Sequence, residues 1–267
     1  TDVGEAREGV TTLITEAVLG LDCETTGLDP IRDSIRLVQL SSTDCTYIFD
    51  LYHVPLDVLA PVLQSGPVKV TQNAKFDCRF LRSAPGGVMP EPVFDTMLAD
   101  QVIHHRSYGR SLRDLAKEYL NQELDKTEQT SDWEAEQLST DQLAYAAKDA
   151  AVLLPLYDNI MLKANELCLG GVIDLENRLV PAMCWLESSG IHFDQDRWDA
   201  LVVNVKPSVD ALTQELDEIV TAELGVDDMM GRKPHAVNWN STAQVLRVLE
   251  DLGLQVVDTR QETLESL

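Results

Sequence analysis

Five oxygen-bearing side chains stand out by type and spacing. Asp22 and Glu24 lie two residues apart in Leu21-Asp22-Cys23-Glu24, at the end of a short apolar run. In a strand, residues i and i+2 share a face, so both carboxylates can converge from one strand end. Alone, the pair is ambiguous, because acidic residues at this spacing also occur in solvent. Asn73-Ala74-Lys75-Phe76-Asp77 follows a second apolar run and opens a helix. Asp77 can then face the same sheet edge, or simply favour the helix N-terminus through the dipole. Tyr145 and Asp149 are one helical turn apart and share a face. Leu143, Ala146, Ala147, Ala150, Ala151, Val152 and Leu153 surround them, which predicts a helix buried nearly all round. A buried Asp needs a partner, either a divalent cation or a salt bridge.

Taken together these are four carboxylates and one phenol. Oxygen-rich ligand sets suit hard cations such as Mg²⁺ or Mn²⁺ rather than zinc. Two such ions side by side form the arrangement that cleaves phosphodiesters. Gln129-Thr130-Ser131-Asp132-Trp133 reads as a helix cap with a packing aromatic.

The elements that must position these groups are legible in outline. Ala17–Leu21, Ser34–Ser42 and Cys45–Tyr52 read as strands, with a turn at Gly27-Leu28-Asp29-Pro30, and predict an antiparallel meander. Leu56–Leu63 has helical spacing, Val68–Thr71 is a further strand, and Lys75 starts a helix. From Asp95 onward the pattern is helical. Asp95 itself suits an N-cap. Ser111 caps Leu112–Leu120, and Ser139 with Gln142 forms a capping box. Leu175–Ser188 is closed by Gly190. Asp199–Leu224 is a long amphipathic helix containing Pro207, which kinks or breaks it. A polar loop, Met229–Asn240, leads to a short helix over Ser241–Leu252. The class is α/β with a mixed sheet, followed by a mostly helical appendage from about residue 172.

The 267 residues suffice for one sizeable core or two domains. No run of 18 apolar residues predicts a membrane helix, and Thr1–Gly9 carries no signal-peptide pattern, although the numbering starts without Met. Five scattered cysteines without a Cys-x-x-Cys pair argue against a disulfide framework or a zinc site and fit a reducing compartment. The net charge of −24 argues against tight, non-specific duplex binding by this chain alone. It does not argue against a nuclease, because bound metals invert the local field of an acidic site.

Leu21-Asp22-Cys23-Glu24-Thr25-Thr26-Gly27-Leu28-Asp29-Pro30, Gln72-Asn73-Ala74-Lys75-Phe76-Asp77 and Tyr145-Ala146-Ala147-Lys148-Asp149 resemble, in order and spacing, the three motifs of the proofreading 3′-5′ exonuclease domains of family A DNA polymerases. These carry four acids and a tyrosine. The resemblance covers roughly residues 10–171. It implies a ribonuclease H-like fold with a mixed five-stranded sheet, which removes nucleoside 5′-monophosphates from the 3′ end of single-stranded or frayed DNA. By the same resemblance, two divalent ions, Mg²⁺ or Mn²⁺, are held by Asp22, Glu24, Asp77 and Asp149, with Asp22 bridging and Asp77 acting mostly through water. Tyr145 orients the attacking water. Leu28 wedges against the terminal base, or else packs the turn. Asn73 holds the terminal sugar–phosphate, or else bonds locally. Arg106, Arg110 and Arg113 form a basic cluster that touches phosphates or lies on a solvated helix face. His104 and His105 read as surface histidines.

Residues 174–203, together with Asn238–Leu246 and the ending Thr263-Leu264-Glu265, resemble the entry to a family A polymerase and the first part of its thumb. The implied division is an exonuclease domain over 1–171 and a partial thumb-like segment over 172–267. Arg232, Lys233 and His235 fall either at a DNA-facing thumb tip or in a plain solvated loop. Partners implied are single-stranded DNA 3′ ends and the rest of a polymerase, in the cytoplasm at the nucleoid. Two other readings share the motifs: a ribonuclease D-like enzyme that trims RNA 3′ ends, and a non-catalytic DNA-binding scaffold.

Overall fold

A computed structural model describes residues 2–124, 131–224 and 237–265. Arg232, Lys233 and His235, and part of the Gln129–Trp133 segment, lie outside the described residues.

The chain opens with a helix that sequence patterning left unassigned: α1, Val3–Leu13. Asp2 and Glu5 form a reciprocal capping box at its start, and Ala6, Gly9, Val10 and Leu13 bury one face at helical spacing. Five strands follow in a mixed sheet: β1 (Val18–Thr25), β2 (Ile35–Ser41), β3 (Thr46–Asp50), β4 (Val68–Thr71) and β5 (Val93–Asp95). Their spatial order is β3-β2-β1-β4-β5. The first three strands form the expected antiparallel meander, while β4 and β5 add in parallel on the other side of β1. β5 is only three residues long, too short for a periodicity signal.

The central position of β1 gives it two different faces. Leu19, Leu21 and Cys23 enter the main core with α1 residues, Phe80 and Leu81. By the period-2 rule Gly20, Asp22 and Glu24 take the opposite face. That face lies under α6 (Thr140–Glu166), which starts at the Ser139–Gln142 capping box. Gly20 permits a close approach there: a Cβ on it would sit 2.1 Å from the Ala150 carbonyl oxygen. α6 buries Ala146, Ala150, Leu153, Leu156, Ile160 and Ala164 along one stripe. Ala144, Lys148 and Ala151 are exposed, so this helix is not buried all round as its composition suggested. Alanines on the outer side reflect helix propensity rather than packing.

The remaining helices are a 3₁₀ turn at Leu56–Leu59 running into α2 (Ala60–Leu63), α3 (Ala74–Ser83), α4 (Thr96–His104) and α5 (Leu112–Leu120), then α7 (Gly170–Ser189) beyond α6. Two compact units result, Thr1–Gly190 and Ile191–Leu267. α7, which the sequence pattern grouped with the appendage, therefore belongs to the first unit. Its Val180 and Cys184 pack against Ala74 and Cys78 of α3. The second unit holds α8 (Gln195–Leu224), α9 (Thr242–Asp251) and α10 (Gln261–Leu264). Pro207 lies inside α8 without ending it, and Trp239 Nε1 donates to Asp217 at 2.8 Å. Among the described residues no helix is long and apolar enough to cross a membrane.

Candidate active site

One cleft of about 680 Å³ is lined by Asp22, Glu24, Leu28, Asn73, Arg110, Tyr145 and Asp149, among others. Asp77 is not on its surface; it lies beneath, 2% exposed, where Thr71 Oγ1 donates to its Oδ2 at 2.7 Å. The fold thus gathers the sequence-predicted residues around one end of β1. Register between β1 and β2 shifts at Glu24/Thr25, where the strand leaves the sheet and the turn begins. Side chains hold that turn: Thr25 Oγ1 donates to the Gly27 carbonyl at 2.6 Å, and the Asp29 N–H donates to Asp33 at 2.8 Å. Leu28 projects from it and is 84% exposed.

Asp95 has a larger part than capping one helix. Its carboxylate accepts from the Met97 and Leu98 N–H groups at the start of α4, as an N-cap does. It also accepts from the Asn73 and Ala74 N–H groups at 3.0 and 2.8 Å, where α3 begins. One buried acid thereby fixes two helix starts, and with them Asn73, in the left-handed region at φ 62°, and Asp77 one turn on. Asn177 of α7 accepts from the Asp95 N–H at 2.7 Å and ties that helix in. On the other side, buried Arg36 makes a two-point ion pair with Asp50 and donates to the Ala135 carbonyl at 2.7 Å. This holds the segment whose Trp133 packs on Leu37 and Ala146, the packing role its sequence suggested. Neither Arg36 nor the second half of the Asp95 role had a sequence signal; both depend on tertiary neighbours.

The arginine and histidine next to the cleft are less free than their sequence implied. Arg110 reaches the cleft wall, but its guanidinium is bound to Glu118, to the Asp114 carbonyl at 3.0 Å and, at 3.6 Å, to buried Asp100. His104 is no simple surface residue: it sits between Tyr119, Asp100 and Glu118. His105 is exposed and closes α4 in a left-handed conformation.

The electrostatics of the acids are dominated by burial and by one another. Burial, then the charges of Asp77, Glu24 and Asp149, push Asp22 well above the usual carboxylate range. Burial, then Asp149 and Asp77, lift Glu24 to about 8. Asp77 is raised to about 7, chiefly by burial and against the Thr71 hydrogen bond. The Tyr145 hydroxyl bonds to Asp149 and is likewise pushed up by burial, then by that acid's charge. Like charges held together in this way favour proton uptake or a cation.

The donor set suits a hard divalent ion, since every candidate ligand is a carboxylate oxygen. Among the described residues, however, no three such groups form a ready-made metal cage. The side chains fit an ion in kind, as hard oxygen donors around one cleft.

Residues 4–165 match the family model described as 3′-5′ exonuclease. The chain belongs to this 3′-5′ exonuclease family. DNA polymerase I of Aquifex aeolicus is 36% identical over 162 residues, which are 60% of this chain and 26% of that one. Ribonuclease D of Bartonella henselae is 32% identical over 127 residues, 45% of this chain and 30% of that one. The chain thus spans between 26% and 30% of these two curated relatives. Among solved structures, Brucella melitensis NrnC with bound Mg²⁺ superposes with a TM-score of 0.60 at 27% identity, covering 66% of this chain and 88% of that one. The same protein is also solved bound to pGG. The five-stranded α/β fold is therefore that of ribonuclease H-like 3′-5′ exonucleases, and the first compact unit carries the exonuclease domain.

Proposed function

We propose that the cleft removes nucleoside 5′-monophosphates one at a time from the 3′ end of single-stranded or frayed DNA, in the manner of a proofreading domain. The observation that carries this reading is the convergence of Asp22 and Glu24 from β1 with Tyr145 and Asp149 from α6 on one open cleft, over buried Asp77. Asp22, Glu24, Asp77 and Asp149 would hold two divalent ions, Mg²⁺ or Mn²⁺. When bound, such ions lower the pKa of water and stabilise the leaving oxygen of a phosphodiester. The protein's own part is positional. Tyr145, anchored by Asp149, orients the attacking water from the α6 side. A phenol, with an ordinary pKa of about 10, is protonated at neutral pH, and the ions would already activate the water, so Tyr145 serves as a hydrogen-bonding group rather than a base. Leu28 would prise a terminal base from its neighbour, and Asn73 would hold the sugar–phosphate. Arg110, already ion-paired, would contribute to the cleft wall and only weakly to phosphate binding.

The DNA substrate is supported by the likeness to a DNA polymerase I and by the thumb-like pattern of residues 172–267. In this reading those residues lead into the rest of a family A polymerase, which supplies most of the affinity for DNA at the nucleoid. That division of labour fits the charge of −24. A second reading, trimming of RNA 3′ ends, is favoured by the likeness to ribonuclease D. The catalytic carboxylates serve either sugar equally.

A 5′-labelled single strand of DNA and the matching RNA, each incubated with Mg²⁺, Mn²⁺ or EDTA, separate these readings. The expected result is a metal-dependent ladder that shortens DNA from its 3′ end. Faster loss of RNA would move the assignment to the ribonuclease D-like activity, and no cleavage of either would leave a non-catalytic scaffold or a chain that cannot hold its substrate without the rest of a polymerase.

A further inference from the structure

Gln39 has no part in the site as described, yet it is the least satisfied side chain near it. It lies in the middle of β2 and is 0% exposed. Among the described residues neither its amide nitrogen nor its amide oxygen has a hydrogen-bond partner. A buried carboxamide in that condition costs stability and needs a reason. The register supplies one: Gln39 is the cross-strand partner of Asp22. Directly opposed residues of an antiparallel pair point to the same face, with Cβ atoms roughly 5 Å apart. Gln39 therefore shares the α6-facing side of the sheet with Asp22 and lies within side-chain reach of its carboxylate.

Among the described residues, the next positions on that face are engaged or apolar. Ser41, next along that face, is satisfied by the Thr46 hydroxyl at 2.8 Å. Leu37, on the other side, packs on Trp133 and Ala146. Above the sheet α6 presents Ala146 and Ala150, which carry no polar side-chain atoms. A Met or Leu would fill such a site without the cost of two stranded polar atoms.

We infer that Gln39 is a positioning residue for Asp22. Once Asp22 is ionised and engaged with a divalent cation, the Gln39 Nε2 donates to its carboxylate and fixes the orientation in which it holds the ion. This rests on the reading of Asp22 as a metal ligand. It also bears on the open arrangement of the acids: part of the framework that closes them on an ion is in place before the ion arrives, on the neighbouring strand. Outer-shell donors of this kind change metal affinity or activity by roughly 10- to 100-fold.

The test compares wild type, Gln39→Met and Asp22→Asn, with Mn²⁺ binding measured by calorimetry and unfolding measured without metal. Gln39→Met is expected to weaken Mn²⁺ binding roughly tenfold or more, while its metal-free melting temperature stays equal to or above that of wild type. Restoring the donor at shorter reach with Gln39→Asn should recover part of the affinity. Wild-type affinity in Gln39→Met overturns the inference, as does a lowered melting temperature with metal binding unchanged. If wild type binds while Asp22→Asn does not, the metal reading stands whatever Gln39 does. If wild type itself fails to bind, both fall together. Should Gln39→Met not fold, the wild-type protein gives the answer alone. Solvent exchange of the Gln39 side-chain amide protons should slow on adding Mg²⁺, and exchange that does not change excludes the bond.

Discussion

The molecule holds two kinds of buried or half-buried acid within one domain and treats them in opposite ways. Asp50 is neutralised by Arg36 through two bonds of 2.8 and 3.0 Å, and Asp95 is surrounded by four backbone N–H groups. Burial raises the Asp95 carboxyl, but each of those N–H groups pulls it back down. Asp22, Glu24 and Asp77 are raised by burial and by neighbouring acids, with no cationic side chain among the causes. The first kind holds helices and loops in place. The second is left with an excess of negative charge that only protons or cations relieve. Structural acids are satisfied by the protein, and the acids of the site are satisfied by what the site binds.

The largest effects should come from exchanging members of the two kinds. Asp22→Ala is expected to lower the exonuclease rate roughly a thousandfold, as loss of several kcal/mol of transition-state stabilisation would. It should leave metal-free stability unchanged or higher, since it removes a repelling buried charge. Asp95→Ala should do the reverse and cost about 3 kcal/mol of unfolding free energy, from a lost cap and stranded N–H donors. Its activity should fall less than that of Asp22→Ala, through the lost folded fraction and the loosened placement of Asn73 and Asp77. Urea unfolding without metal and single-turnover cleavage with Mg²⁺ measure both. Equal stability losses in the two variants would erase the distinction.

Tyr145→Phe comes next. The hydroxyl bonds to Asp149 and lines the cleft. Its removal should reduce kcat by about a hundredfold with KM little changed. A rise in KM at constant kcat would make Tyr145 a binding group instead.

The same contrast sets a pH dependence. An acid whose folded pKa lies above its unfolded value, about 4 for Asp and Glu, holds protons more tightly when folded. Its contribution is complete below about pH 4. It is lost as pH rises through about 7 for Asp77 and about 8 for Glu24. In EDTA the melting temperature should therefore decline between pH 5 and about 8, the window of those shifts. Mg²⁺ should flatten the decline by taking the place of protons, and Asp22→Ala should reduce it by removing one repelling charge. A melting temperature that climbs over this range in EDTA would mean the acids already have cationic partners.

The division between legible and illegible residues follows the same line. Asp22, Glu24, Asp77, Tyr145 and Asp149 could be picked out as candidates because their types recur at spacings that share one face of a single element. The meander and the Ser111 and Ser139 caps were visible because turns and caps are local. β5 has three residues, and its existence depends on pairing with β4. α1 carried both a capping box and apolar spacing, but its acidic, polar surface residues obscured them. Arg36 and Gln39 lie in a strand whose every residue is buried, so alternation could not mark them. Gly20 read as an ordinary strand residue, and only the carbonyl of Ala150 shows why it cannot carry a side chain. The joint hold of Asp95 on α3 and α4 links positions 22 residues apart, beyond any local pattern.

Leu28 belongs to neither kind of acid, and it offers the smallest and most specific test of the cleft. It is almost fully exposed, while polar bonds among Thr25, Gly27, Asp29 and Asp33 hold its turn. Leu28→Ala should therefore alter unfolding free energy by less than about 0.5 kcal/mol. If the side chain wedges beneath a terminal base, truncation removes apolar contact worth about 1.4 kcal/mol, roughly tenfold in rate. That loss should fall most on substrates whose 3′ end is paired, because such an end must be separated from its partner strand as well as from its stacked neighbour. Cleavage of a blunt duplex end and of the free single strand, measured side by side, gives the ratio. A ratio that shifts against the duplex assigns Leu28 to strand separation, whereas equal slowing of both assigns it to the turn, and the opening of paired ends must then come from outside this cleft.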